Sequence, residues 1–319
     1  LEKNIRIIRV HHWKIPLPFC TYPLYLRSLR NVFEQIYSRK ESRPDIIHAH
    51  EYGAGGAAVL LGKRYGIPVI ISEHSSIFIR GKLTKRERVK IRFSMNRADM
   101  ILPVGAEVRD TLLSLGITTP LTIIPNAVDT SVFSPSGYRK TVTGMPTTIL
   151  LIALLREGKG IPCLFRALAD LRHRRRDFRL IIAGDGTKRK DYQRLTGELG
   201  LKEVIEFIGI KTRIEIADLI RKCDFVVQPS EAETFGMTVI EAMACGKPVL
   251  ASRLPTFERM LSPDRGILVA PGDEKKLAEA IETMINRYHE YQPEKLVEYV
   301  RERFSHEAVG KRLSAVYDR

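Results

Sequence analysis

Residues 231–249 read EAETFGMTVIEAMACGKPV, and more is legible in this stretch than in any other part of the chain. Two carboxylates, Glu233 and Glu241, flank a Phe-Gly step that feeds a helix-forming run. A glycine at 236 lets backbone approach a ligand closely or take a positive φ, and the unpaired N–H groups opening the next helix make a site for phosphate. If the span between the two acids were continuous helix, they would lie roughly 12 Å apart along its axis and about 80° apart around it. That is no facing acid/base pair, since glycoside hydrolases hold two carboxyls roughly 5 to 9.5 Å apart across one bond. Each acid could instead grip a different part of one elongated ligand, and a sugar nucleotide has that shape. A plainer reading stays open: a capping box between Ser230 and Glu233, with Glu241 a solvated helix residue.

On either side of this stretch, apolar strand-like runs alternate with helical patterns, which argues for parallel sheets with helices on both faces. The first half carries strand runs at 5–10, 45–49, 67–72, 100–104 and 121–125, with helical candidates at 23–39, 55–65 and 86–97. The turn-rich SPSGYRKTVTGMPT at 134–147 reads as a linker. Strand runs resume at 148–153, 178–183, 204–207, 225–227, 249–251 and 267–269, followed by helical segments at 274–288, 293–304 and 306–317. A chain of 319 residues is long enough for two cores. The expected fold class is α/β, with two Rossmann-like doubly wound domains at 1–138 and 139–300 facing a cleft.

The run from Glu233 to Glu241 resembles the Glu-x7-Glu motif of retaining, nucleotide-sugar-dependent glycosyltransferases of family 4, which have the GT-B fold, and Ala242 to Val249 fits the same family. The resemblance implies that Glu233 binds hydroxyls of the donor sugar, that Glu241 binds the ribose, and that Phe235, Gly236, Met237 and Thr238 line the donor site. It also implies that residues 301–319 return as a helix onto the first domain. The family begins with a strand, a Gly-Gly turn, a helix and a further strand. This sequence, opening at Leu1, is therefore expected to lack roughly 60 residues at its start, at about 30 per strand-helix-strand unit. A chain short of that turn is open to a second reading, a donor-binding module without turnover.

Other motifs fall into place around the resemblance. Lys159-Gly160 stands where the family has Lys-Gly, and Lys159 is the expected ligand of the diphosphate. The arginine the family carries before it falls on Leu154, so Arg156 is the candidate second cation. Gly184-Asp185-Gly186 ends a strand run, where ligands of open parallel sheets bind; Gly184 is a donor-site candidate, although the same residues also make ordinary strand-to-helix turns. Pro125-Asn126-Ala127-Val128-Asp129 resembles the family's Pro-Asn-Gly-Val-Asp. Were a positive φ needed at 127, alanine would cost roughly 1 kcal/mol.

Glu73-His74-Ser75 matches the family's Thr/Ser-x-His at the donor sugar, so His74 joins Glu233 and Lys159 as a catalytic candidate. A neutral imidazole there would hydrogen-bond a sugar hydroxyl; a satisfied histidine at a strand end is the plainer alternative. His48, His50 and Glu51 share a segment but are not read as a zinc site. The chain has no Asp-x-Asp of the kind metal-dependent transferases use, and no metal or cofactor is expected beyond the nucleoside diphosphate sugar itself. Ser252 to Glu258 stands where many relatives carry a Gly-Gly turn; Glu258 aligns, and the glycines are gone.

A formal charge of +15 calls for an acidic partner: a nucleotide diphosphate, an anionic membrane surface or nucleic acid. Leu171 to Arg176 is the densest basic cluster, read as a solvated helix end, with peripheral contact to an anionic membrane as the alternative. Nucleic-acid binding would rest on charge alone, without interleaved aromatics or a recognised module. No apolar run approaches the roughly 18 residues that span a bilayer. Cys20, Cys163, Cys223 and Cys245 lie far apart without a Cys-x-x-Cys, which fits a reducing, cytoplasmic setting. The expected activity is retaining transfer of a sugar from a nucleoside diphosphate to an acceptor hydroxyl. A GT-B-type sugar-nucleotide epimerase, which needs no acceptor, is the enzyme alternative.

Overall fold

The computed structural model describes residues 8–9, 18–37, 43–79, 81, 83–135 and 145–318. All but residues 8–9 of the strand expected at 5–10, most of the linker at 134–147 and the Cys20 side chain lie outside the described residues. The chain clusters into two units, one drawn from Leu1–Ser75, Lys82–Pro103 and Arg109–Ile123, the other from Ser76–Gly81, Val104–Val108 and Ile124–Arg319.

The first unit holds a parallel sheet in the order β1 (Ile47–His50), β2 (Val69–Glu73), β3 (Met100–Pro103). All of β2, VIISE, is buried, as a parallel strand covered on both faces must be. Helices α1 (Pro18–Ile36), α2 (Glu51–Tyr65) and α3 (Lys85–Met95) belong to this unit, and α4 (Ala106–Ser114) follows β3. A capping box starts α3: the Thr84 hydroxyl accepts from the Glu87 N–H while the Glu87 carboxylate takes the Thr84 N–H. The strand expected at 121–125 does not form; only an isolated bridge joins Leu121 to Ile101. Pro120 and Pro125 bracket that run and lack the N–H groups a longer ladder would use.

The second unit carries β4 (Thr147–Ile152), β5 (Phe178–Ala183), β6 (Ile205–Gly209), β7 (Phe225–Gln228), β8 (Val249–Ser252) and β9 (Gly266–Val269). They form one parallel sheet in the order β6-β5-β4-β7-β8-β9. Beginning at β4, the chain winds outward to β6, then returns to the other side of β4 and winds outward to β9, which is the doubly wound order. Its helices are α5 (Ile161–Arg172), α6 (Arg189–Glu198), α7 (Arg213–Lys222), α8 (Met237–Ala244), α9 (Pro255–Glu258), α10 (Glu274–Arg287), α11 (Pro293–Phe304) and α12 (His306–Tyr317). Leu164, Phe165, Leu168 and Leu171 of α5 pack with Ile281 and Met284 of α10 on Ile149 and Leu151 of β4. Residues 301–319 cluster with this unit. They are tied to the rest at Val128, whose N–H donates to the Phe304 carbonyl at 2.8 Å beside a bridge to Ser305, and at the Phe304 ring, which meets Phe235 edge-on at 5.7 Å.

The basic run at the end of α5 is largely paired with local groups. Arg172 meets Glu203 at 3.1 Å, Arg174 meets Asp170 and Glu282 at 3.1 Å each, and Arg175 meets Asp177 at 2.6 Å and Asn286 at 2.8 Å. Cys163, Cys223 and Cys245 are buried thiols, and burial pushes those of Cys223 and Cys245 up to about 12. Among the described residues, no helix is long and apolar enough to cross a membrane.

Candidate active site

In a doubly wound sheet the ligand crevice opens outside the carboxyl ends of the strands where the winding reverses, here between β4 and β7. A cavity of about 490 Å³ lies there. Its lining includes Ala153, Leu154 and Lys159 after β4, Gly184 and Asp185 after β5, Ile210 and Lys211 after β6, and Gln228 with 233–238 after β7.

These loops hold one another by backbone. The Glu231 N–H donates to Gly158 O at 3.1 Å, and the Leu155 N–H to Asp185 O at 2.9 Å. Gly184, at φ +135°, lies so close to the β4 loop that a Cβ would stand 2.0 Å from the Ala153 carbonyl oxygen. Gly236, at φ +88°, is the N-cap of α8, and a Cβ there would stand 2.3 Å from the Phe257 ring. Phe257 is fully buried on the segment 252–258, whose Thr256 hydroxyl also reaches the Phe235 carbonyl at 3.4 Å. The segment 252–258, which contains no glycine, therefore buttresses the Phe-Gly turn.

Glu233 lies in the loop before α8, which starts only at Met237, so the continuous-helix separation of the two acids does not apply. The plainer capping-box reading fails as well: α8 has no side-chain cap, and Ser230 directs its hydroxyl to the Glu233 carboxylate instead. Three donors converge on Glu233 Oε1: Lys159 Nζ at 2.5 Å, Ser230 Oγ at 2.9 Å and Gln228 Nε2 at 3.1 Å. Lys159 and Glu233 retain 14% and 15% side-chain exposure, so the pair is shielded from water yet open to the cavity. Glu241 sits on the second turn of α8, outside the cavity lining. Burial raises its carboxyl above the usual range, with the Arg213 charge opposing that rise.

Of the residues singled out from sequence, Lys159, Gly184, Glu233, Phe235, Gly236, Met237 and Thr238 meet around this cavity. Arg156 is not among its lining; its Nε is buried without a hydrogen-bond partner. Glu258 lies elsewhere, 3.5 Å from Arg253. Asn126 does line the cavity, while Asp129 is a turn residue whose carboxylate takes the Ser131 hydroxyl at 2.5 Å. Ala127 needs no positive φ: among the described residues only Glu51, at 67°, departs from glycine in this respect.

His74 belongs to the first unit, at the end of β2. Its Nε2 is 3.1 Å from His50 Nδ1, and the His50 ring stacks on His48. Burial and the two neighbouring imidazoles lower His48 to about 4. Glu73, fully buried beside His74, accepts the Tyr52 N–H at 2.9 Å and the Ser75 N–H at 2.7 Å, and burial pushes it up to about 7. This carboxylate ties the turn at Glu51 to the strand end that carries His74. Among the described residues, no group of three or more His, Cys, Asp or Glu is arranged to hold a metal ion.

Sequence reasoning missed Gln228, Ser230 as a ligand of Glu233, and Lys211. A signal existed for Gln228: a polar residue closing an otherwise apolar strand, FVVQ, at the carboxyl end where ligands bind.

Known proteins resemble this chain in sequence and in fold. A family model described as Glycosyl transferases group 1 matches residues 139–303, and one described as Glycosyltransferase Family 4 matches residues 2–132. Glycogen synthase of Mycobacterium tuberculosis is 26% identical over 254 residues, covering 76% of this chain and 61% of its own. D-inositol 3-phosphate glycosyltransferase of Pseudarthrobacter chlorophenolicus is 29% identical over 283 residues, covering 82% and 67%. The chain thus spans about two thirds or less of these relatives. Sucrose-phosphate synthase from Thermosynechococcus elongatus superposes with a TM-score of 0.80 at 21% identity, covering 94% of this chain and 78% of that one. Anabaena HepE in complex with UDP-glucose superposes with a TM-score of 0.79 at 20% identity, covering 95% and 84%. The fold is therefore that of the GT-B proteins, α/β with two Rossmann-like parts.

Proposed function

Because this chain belongs to the glycosyl transferases group 1 family, we propose that it serves retaining transfer of a sugar from a nucleoside diphosphate to an acceptor hydroxyl. The donor occupies the cavity at the winding reversal of the second unit. The observation that carries this reading is the convergence of Lys159, Glu233 and the opening of α8 on that one cavity. Glu233 accepts hydroxyls of the transferred sugar. Lys159 and the first N–H groups of α8, equivalent to roughly half a positive charge, stabilise the charge that develops on the leaving diphosphate, and such preorganised stabilisation is commonly the largest catalytic effect. Glu241, on α8 beyond the cavity lining, keeps the role its motif implies, acceptance of the ribose hydroxyls, as an assignment from resemblance. Retention follows the family. His74 keeps the role its motif implies, a hydrogen bond to a sugar hydroxyl, and Arg156 and Glu258 keep theirs toward the donor as assignments from resemblance.

HepE was crystallised with UDP and UDP-glucose, which makes uridine conjugates the first donors to try. The test is a thermal-shift screen of nucleoside diphosphates and their sugars on the wild-type chain and on Glu241→Ala. Stabilisation by at least one nucleoside diphosphate, reduced in the variant, is expected. Stabilisation that persists unchanged in Glu241→Ala removes the ribose contact, and no stabilisation by any of them removes the donor reading.

A further inference from the structure

Gln228 ends β7 with 3% of its surface exposed and lines the cavity. Its amide nitrogen donates to Ser230 Oγ at 2.9 Å and to Glu233 Oε1 at 3.1 Å. Its carbonyl oxygen is buried and has no hydrogen-bond partner.

The orientation of this amide follows from its neighbours. A carboxylate only accepts, so Glu233 requires the NH2 side. Ser230 gives its single proton to Glu233 at 2.9 Å, so it too can only accept from Gln228. Both contacts demand the same end of the amide, and turning it would set oxygen against two acceptors. The unpartnered oxygen is thus a consequence of the network. Buried acceptors are nearly always satisfied, and an exception calls for an explanation. A donor supplied by the ligand gives one.

We infer that Gln228 is a specificity-determining residue that accepts a hydrogen bond from one hydroxyl of the transferred sugar. The inference rests on the donor reading above and sharpens it. The diphosphate carries only acceptors and cannot satisfy this oxygen. Gln228 Nε2 is bonded to Glu233 Oε1, so the amide stands beside the carboxylate assigned to the sugar. Carboxylate and amide oxygen together read two donors at one place, and a site that hydrogen-bonds a substrate hydroxyl strongly rejects an analogue without it.

The test compares Kd for UDP, UDP-glucose and the four monodeoxyglucose conjugates of UDP, with GDP and GDP-mannose as a second pair, in the wild-type chain and in Gln228→Met. For the wild type, removal of one particular hydroxyl is expected to weaken binding about tenfold. In Gln228→Met that hydroxyl no longer matters, while Kd for the bare nucleoside diphosphate changes less than about twofold. A variant that discriminates the deoxy sugars as the wild type does overturns the assignment and leaves the donor reading intact. Equal affinity of the wild type for every deoxy sugar overturns it without recourse to any variant, which covers a variant that does not fold. Absence of binding by any nucleoside diphosphate overturns the donor reading and the inference together.

Discussion

Gly236→Ala isolates the turn on which the donor cavity is built. At φ +88° an alanine must adopt the left-handed region, which costs about 1–2 kcal/mol. Its methyl would also stand 2.3 Å from Cε1 of Phe257, a fully buried ring with little room to retreat; overpacking of this kind costs about 1–3 kcal/mol. The sum, about 2–5 kcal/mol, converts to a fall in Tm of roughly 4–20 °C at 2–4 °C per kcal/mol for a body of this size. The two contributions are separable by a double-mutant cycle with Phe257→Leu. The smaller side chain relieves the clash but not the backbone, so a favourable coupling of about 1–3 kcal/mol should appear, with about 1–2 kcal/mol of the glycine penalty remaining. Scanning calorimetry or urea titration supplies the stabilities, and titration with UDP should show affinity lost beyond any unfolding, because the first N–H groups of α8 shift with the turn. A Tm within about 1 °C of wild type, or a coupling near zero, would refute the reasoning.

Lys159→Ala leaves Glu233 with Ser230 and Gln228 as its donors and removes a largely shielded charge pair; nucleoside diphosphate affinity measured by calorimetric titration should fall by about 2–5 kcal/mol. Glu73→Gln tests a pH dependence in the first unit. The Glu73 carboxyl is raised to about 7 from an unfolded value of 4.5, so the native state binds the extra proton and stability is lost as pH rises through that window. His48, lowered to about 4 from 6.5, acts in the opposite sense, with stability lost as pH falls. The advantage of wild type over Glu73→Gln should therefore shrink by up to about 3 kcal/mol between pH 4.5 and 7, with the variant itself gaining stability from about pH 4 to 6.5; a pH-independent difference contradicts this. Ile210, 78% exposed at the cavity rim, contributes little to folding, so Ile210→Ser should leave stability within about 0.5 kcal/mol while weakening UDP binding several-fold in the same titration.

Much of the second unit was legible as pattern because its signals are local. Buried parallel strands appear as short apolar runs, and FRLIIA and the run before Gln228 were found to within a residue or two. The glycine at 236 announced its turn because no other residue tolerates that backbone without strain. The strand expected at 121–125 failed because apolar content was read without weighing the prolines that bracket it. The helix start at Glu51 was missed since nothing in the local sequence advertises a positive φ for a glutamate; it is held by a carboxylate twenty-two residues later, at Glu73.

The amino-acid sequence by itself determined the alternating α/β pattern, the Phe-Gly turn and the choice of Glu233 and Lys159 as site candidates, because each follows from residue type and short-range spacing. Only the tertiary structure decided that Lys159, seventy-four positions from Glu233 in the chain, shares its oxygen with Ser230 and Gln228, and that Gln228 keeps an acceptor in reserve. Those facts depend on which strands lie side by side at the winding reversal, and side-by-side placement is a property of the whole sheet rather than of any segment in it.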